Sequence, residues 1–408
     1  MPNSYRLYRC TPHHGQPRYR YFADMSKIAP TLLRPQLHHI RLSRRRLHAP
    51  LCWSQRNMSL RTPILASLEI ADAAQMRDEA FYKARPQSCW YHDGSSWLEA
   101  LPSRLINTNL RLNNTLRLIS WNIDFSTPFA EERMSAALEH LEDLILSAGA
   151  DVPVVVYLQE MENADLELIR ESRWIQDRFI LTEMNARNWQ ASYGTTMLID
   201  RRLAVESVFR VPWYSGYGRD GLFLDIALKA PEAEPVSGAG AGSKVLRLCN
   251  THLESLAADP PVRPAQMGVA GKYLREPNVA AALFAGDLNA IESFDRILHT
   301  ENGLSDAYLE LGGKEDSDDG YTWGYQSPHT RFACCRMDKI LFRGSIKPIK
   351  FARIGIDVKV TEDKRKEVRD AGQAEWVTDH YGVMGDFEIG QGGELGLNEA
   401  QENLFLWI

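Results

Sequence analysis

A run of small and apolar residues, Ala281-Ala282-Leu283-Phe284-Ala285, stops abruptly at Gly286-Asp287-Leu288-Asn289. Such a run reads as a buried strand whose end presents a carboxylate and an amide two positions apart, hence on one side of the chain. Gly-Asp also marks ordinary turns, so the tetrapeptide alone carries little weight. Other apolar runs end in the same manner. Residues 116–119 lead to Asn122 and Asp124, 154–158 to Glu160, and 245–248 to Asn250 and His252. Asp338 opens the run ending at Phe342, and Asp379-His380 precede a closing run over 383–389. Many short strands with few helices predict two packed sheets with helices outside, a layered α/β sandwich whose polar strand ends converge at one edge.

The punctuation between these runs is readable. Thr127-Pro128 opens a helix reaching about residue 148, with Met134, Leu138, Leu141 and Ile145 as its buried stripe, Glu131 and Glu132 at its positive end, and Gly149 as its stop. A second helix is expected over 264–276. Further strands are expected near 194–199 and 222–228, a Pro/Gly/Ala/Ser-rich hairpin loop over 231–243, and loops over 312–320 and 361–375. Residues 69–83 have helical spacing, and 89–97 form an aromatic patch. The domain organisation expected is a basic extension (1–62), a short helical and aromatic lead-in (63–112), a main domain (113–390) and a tail (391–408).

Charge divides the chain unevenly. Residues 1–62 hold 12 Lys/Arg against one acid, Asp24, so a net charge of −6 for the whole chain leaves about −17 on the remainder. An acidic body is a poor general binder of nucleic acid, and any such substrate must be held locally. The basic segment reads as a mitochondrial presequence, as a nuclear-import or nucleic-acid-contacting arm, or as an extension without function. No apolar run approaches the roughly 18 residues of a membrane span. The six cysteines lack metal-finger spacing, and no zinc is expected.

Asn122, Glu160, Asn250, His252, Asp287, Asn289, Asp338, Asp379 and His380 form the candidate inventory. Oxygen donors without cysteine favour magnesium or manganese over zinc. Asp287 suits a general base or a metal ligand, and Asn289 a donor to an anionic oxygen; Asp338 or Asp379 can orient His380. Each has a bland reading: Asn122 as a turn cap, Glu160 as a solvated edge carboxylate, His252 and His380 as core histidines bonded to backbone, Asp338 as structural. Their shared place at strand ends weighs against all of these at once.

Trp121-Asn122-Ile123-Asp124, Gln159-Glu160, Thr251-His252-Leu253-Glu254-Ser255, Gly286-Asp287-Leu288-Asn289, Met337-Asp338-Lys339-Ile340 and Asp379-His380-Tyr381-Gly382, in that order, resemble the endonuclease/exonuclease/phosphatase superfamily over about residues 116–389. Within it they look like the tyrosyl-DNA phosphodiesterase 2 branch. The resemblance implies a four-layer α/β/β/α sandwich and a magnesium-dependent phosphodiesterase, with manganese an alternative. Glu160 would hold the metal, with Asn122 beside it and Asp379 near. Asp287 would orient and deprotonate the attacking water. Asn289, His252 and His380 would bind phosphoryl oxygens, with Asp338 supporting His380. Arg219, Trp323 and Tyr193 would contact substrate.

The reaction implied is hydrolysis of a 5′-phosphotyrosyl bond at a DNA end, with topoisomerase-derived peptide as the leaving partner, in a nuclear or mitochondrial setting. Alternatives are an abasic-site, RNA or small phosphoester or lipid phosphodiesterase, and a silent scaffold. Two features depart from the branch. Ala290, Ile291 and Glu292 stand where an arginine is expected, and residues 256–261 are neutral to acidic, so Arg263 is the first basic replacement for DNA grip.

Overall fold

The computed structural model describes residues 79–100, 114–229, 244–258, 260–328, 332–390 and 394–395. The basic extension and the 231–243 loop lie outside the described residues, as does most of the helical spacing at 69–83, of which 79–82 form a turn.

Three short strands come first: β1 (Arg85–Pro86), β2 (Cys89–His92) and β3 (Trp97–Ala100). Then β4 (Thr115–Asn122), helix α1 (Ala130–Leu146) and β5 (Val154–Met161) form a parallel crossover. Helices α2 (Asn163–Glu171) and α3 (Arg173–Arg178) lead to β6 (Phe179–Leu181), β7 (Gly194–Asp200), β8 (Val205–Pro212) and β9 (Asp220–Lys229). A second parallel crossover follows, made of β10 (Lys244–His252), α4 (Arg263–Leu274) and β11 (Val279–Asp287). The chain continues through β12 (Ser305–Asp306), β13 (Asp338–Gly344), β14 (Ile346–Ile354), helix α5 (Glu362–Asp370), β15 (Gly382–Ile389) and β16 (Glu394–Leu395).

These strands make two sheets. One runs β1-β8-β9-β10-β11-β13-β12 with β16 against β9; the other runs β14-β15-β4-β5-β7-β6-β2-β3. Both central parallel pairs read as near-continuous apolar sequence because both of their faces are covered. Alternation shows how. Leu116, Leu118, Val155, Tyr157, Leu246, Leu248, Ala281, Leu283 and Ala285 pack between the sheets. Ile119, Trp121, Val154, Val156 and Leu158 face outward with Met134, Leu138, Leu141 and Ile145 of α1. Val245, Cys249, Ala282 and Phe284 face the other way with Met267 and Leu274 of α4. The result is the expected sandwich, with helices on both outer faces.

Several expectations are corrected. Within the stretch expected as a lead-in, β1 pairs with β8 and β2 with β6, so strands of both sheets lie ahead of residue 113. The charged stretch 361–375 holds helix α5, whose one buried side chain is Val368. Helix α1 starts at Ala130, because Asp124 first closes a turn by accepting from the Ser126 N–H and hydroxyl.

Asn250 is not part of the site. It lies on the inner face of β10, where its amide nitrogen donates to the carbonyls of Leu158 (3.1 Å) and Thr196 (2.8 Å) in the opposite sheet, and its oxygen accepts from Gln159 (2.8 Å). It joins the sheets. Asn250→Ala leaves these buried partners unpaired, and chemical denaturation should show a loss of about 2–5 kcal/mol.

Candidate active site

The inner faces of the strands continue past the apolar core into polar side chains. Asn122 lies two residues beyond the inward Ser120, His252 two beyond Asn250, and Asp287 two beyond Ala285. Asp338 pairs with Asp287 across the antiparallel β11–β13 ladder. Period-2 alternation therefore delivers all four to one place. Glu160 has the opposite parity and arrives by another route. It sits at φ 57°, in the left-handed region, where the register of β5 against β7 slips between Leu158 and Met161. An irregularity of this kind re-aims a side chain, and here it sets the carboxylate 3.8 Å from His252 Nε2.

Asp287 is the hub. Its Oδ2 accepts from Asn122 Nδ2 (3.0 Å) and lies 3.2 Å from His252 Nε2 and 3.8 Å from His380 Nε2. Its Oδ1 accepts from the Asn289 backbone N–H (2.8 Å). Burial works to raise its pKa, but His252, His380 and the backbone donor outweigh that and hold the carboxyl well below its ordinary range. It is an ionised acceptor.

His380 carries the opposing charge. Its Nδ1 is 2.8 Å from Asp338 Oδ2, and its Nε2 is 3.8 Å from both Asp287 Oδ2 and Asp379 Oδ1. Burial opposes protonation, yet Asp338, Asp287 and Asp379 together push its pKa well above the ordinary histidine value. Asp338 is fully buried, its Oδ1 has no partner among the described residues, and desolvation raises it to about 6 despite the imidazolium beside it. The backbone fixes this pair: His380 N–H donates to Thr378 Oγ1 (3.2 Å), and the carbonyl of His380 accepts from Trp121 Nε1 (3.2 Å).

His252 is the neutral counterpart. Burial, then Arg219, lowers its pKa to about 4. Arg219 Nη1 hydrogen-bonds its Nδ1, and Arg219 Nη2 donates to Ser255 Oγ (2.9 Å). The Arg219 guanidinium stands 5.0 Å from the ring of Tyr193 and 5.5 Å from that of Tyr217, while Tyr193 stacks on Phe125 at 4.0 Å.

Four predicted residues sit at the site, three of them with polar groups engaged by other protein groups. Arg219 is 6% exposed and faces inward, so it is no open substrate contact. Tyr193 has its ring against Phe125 and Arg219. Asn289 donates its amide nitrogen to the Leu253 carbonyl (3.0 Å), and a carbonyl only accepts, so one of its two N–H bonds is engaged internally. Trp323 walls the site, and its Nε1 donates to Asp379 Oδ2 (2.7 Å), which leaves Asp379 one oxygen for other work. Arg263 is likewise unavailable for DNA grip: it is buried, bonded to the carbonyls of Glu254 and Leu256 and paired with Glu292 and Asp295.

Glu254 is a residue that sequence reasoning passed over. It accepts from Ser215 Oγ (2.5 Å) and Gly216 N–H (2.9 Å), anchoring the loop that lays Tyr217 over Arg219. A buried carboxylate two residues past His252 was the available signal.

The donor set fits a hard divalent cation. Glu160, 16% exposed, is raised to about 7 by burial and by the nearby Asp124 and Asp287, against the pull of Arg219 and His380; crowded carboxylates that hold on to protons are a setting a cation relieves. Asp287, Asp338 and His380 offer ligand atoms within 4.8 Å of one another. His380 would first have to lose its Nε2 proton, while Asp338 stays on Nδ1, so Glu160 and Asp287 are the better donors.

The pattern of the Endonuclease/Exonuclease/phosphatase family matches residues 119–380, well over half of the chain, and takes in every one of these site residues. The chain belongs to this family. A 5′-tyrosyl-DNA phosphodiesterase from Caenorhabditis elegans is 25% identical over 252 residues, a match spanning 58% of this chain and 60% of that relative. Among solved structures, D. rerio TDP2 complexed with a single-strand DNA product is 20% identical, covering 67% of this chain and 98% of that one, with a TM-score of 0.49. C. elegans TDP2 is 24% identical, covering 68% and 76%, with a TM-score of 0.48. Among the described residues no helix is long and apolar enough to cross a membrane.

Proposed function

We propose that this chain is a divalent-cation-dependent phosphodiesterase that hydrolyses the 5′-phosphotyrosyl bond between DNA and a peptide, leaving a 5′-phosphate. The observation that carries the reading is the ionised Asp287 held between a neutral His252 and a cationic His380 at the polar end of the inter-sheet core. The C. elegans relative, which carries this activity in its name, supports the substrate.

In this reading Glu160 and Asp287 hold the cation, magnesium or manganese, with Asn122 keeping Asp287 in place. The bound cation supplies charge neutralisation at the phosphoryl group. Asp287 orients the attacking water; so acidic a carboxyl is a weak base, and its contribution is alignment more than proton removal. His380 Nε2–H and His252 Nε2 face the region where negative charge grows on the phosphoryl oxygens, and Asp338 keeps His380 charged. A phenol with a pKa near 10 leaves without a strong general acid, so this leaving group asks for none from the site.

A second reading, a phosphodiesterase for a small phosphoester, is favoured by the rim. Leu256 is 57% exposed and Ile291 38% exposed on the loops beside Asn289, where cations would serve a DNA backbone. Magnesium-dependent release of tyrosine from a 5′-phosphotyrosyl oligonucleotide, beside an abasic duplex and a simple aryl phosphodiester, separates the two. The DNA reading expects the oligonucleotide to be preferred and its binding to weaken steeply with salt; a flat salt response together with preference for the simple ester selects the second.

A further inference from the structure

We infer that Arg219 is a positioning residue that fixes the His252 imidazole with its proton on Nε2, facing Asp287. The argument rests on hydrogen-bond direction. A guanidinium only donates, and Arg219 Nη1 bonds His252 Nδ1, so Nδ1 supplies a lone pair. The proton of a neutral ring is then on Nε2, 3.2 Å from Asp287 Oδ2, which only accepts. The other tautomer sets a bare nitrogen against a carboxylate and an N–H against a guanidinium, two repulsive contacts in a buried site.

Arg219 is held for this task from three sides. Its Nη2 donates to Ser255 Oγ, which lies 3.4 Å from Asn289 Nδ2, so one guanidinium ties the ends of β10 and β11 together. The rings of Tyr193 and Tyr217 pack against its charge. Its Nε has no partner among the described residues, and Arg219 itself helps line a small cavity with Trp189, Gln190 and Thr195. With Nη1 on His252 and Nη2 on Ser255, Arg219 is placed to act through the histidine.

The test joins a spectrum to kinetics, and only the kinetic half rests on the phosphodiesterase reading. In the full chain labelled with 15N-histidine, His252 is assigned by the signals lost in His252→Gln. The wild type is expected to show one pyridine-like Nδ1 and one protonated Nε2. Arg219→Met takes the donor from Nδ1 while Asp287 still faces Nε2, so the Nδ1 signal is expected to leave its wild-type pyridine-like position, and kcat to fall about 10- to 100-fold with KM within about threefold. Arg219→Lys, which keeps one donor, is expected to restore the Nδ1 signal and part of kcat, and it carries the test if Arg219→Met does not fold. An unchanged His252 spectrum in Arg219→Met overturns the inference. So does a loss confined to KM, which makes Arg219 a substrate contact. If no phosphodiester is turned over by the wild type, the functional reading fails while the spectrum still decides this one.

Discussion

Asp287→Asn is expected to lower turnover by about a thousandfold or more, because the substitution keeps volume and removes the charge that aligns water and cation. It should also cost about 1–3 kcal/mol of stability. Every group facing this carboxylate is a donor, namely Asn122 Nδ2, His252 Nε2 and the Asn289 N–H, and an amide can accept on one side only. A strand-tip position by itself would suggest no such cost. The measurement is tyrosine release at saturating magnesium with a thermal melt on the same preparation. Residual turnover above a tenth of wild type would remove Asp287 from the chemistry.

The second large effect concerns Glu160. Its carboxyl is raised to about 7 in the folded protein, so folding favours its protonated form. The stability that follows is fully present below the unfolded value of about 4.3 and is lost as pH rises through 7. The loss is on the order of 3 kcal/mol, and a bound divalent cation offsets it. In EDTA at pH 8, Glu160→Gln is therefore expected to melt above the wild type, with the gap narrowing as pH falls and closing below about pH 4.3. Magnesium should raise the wild-type melting temperature at pH 8 and leave that of Glu160→Gln nearly unchanged. Equal magnesium responses from the two proteins would take Glu160 out of the cation site.

Much of this site was legible because inward alternation carries straight past the apolar core. Asn122, His252, Asp287 and Asp338 keep the parity of the buried residues before them. Glu160 does not, and its arrival depends on a left-handed residue in an irregular stretch of β5, which no periodicity announces. Asn250 shares a row with His252 but sits one rung deeper, where it meets the opposite sheet's carbonyls in place of solvent; depth along a strand is set by sheet packing. Arg219 and Arg263 look alike in sequence to arginines that reach outward. Only the fold shows that their partners are internal. Helix α5 escaped notice because a surface helix with one buried residue has almost no apolar period to read.

The interleaved sheets have a consequence for how the protein can fail. One sheet brings Asn122 and Glu160, with His380 just ahead of β15; the other brings His252, Asp287 and Asp338. Neither half of the sandwich holds a reduced version of the site, and the chain passes from one sheet to the other and back to complete it. Inactivation on heating should thus track separation of the sheets and precede the loss of helix signal. Severed halves would regain function only by reassembling, which makes turnover itself a gauge of whether the two layers are docked.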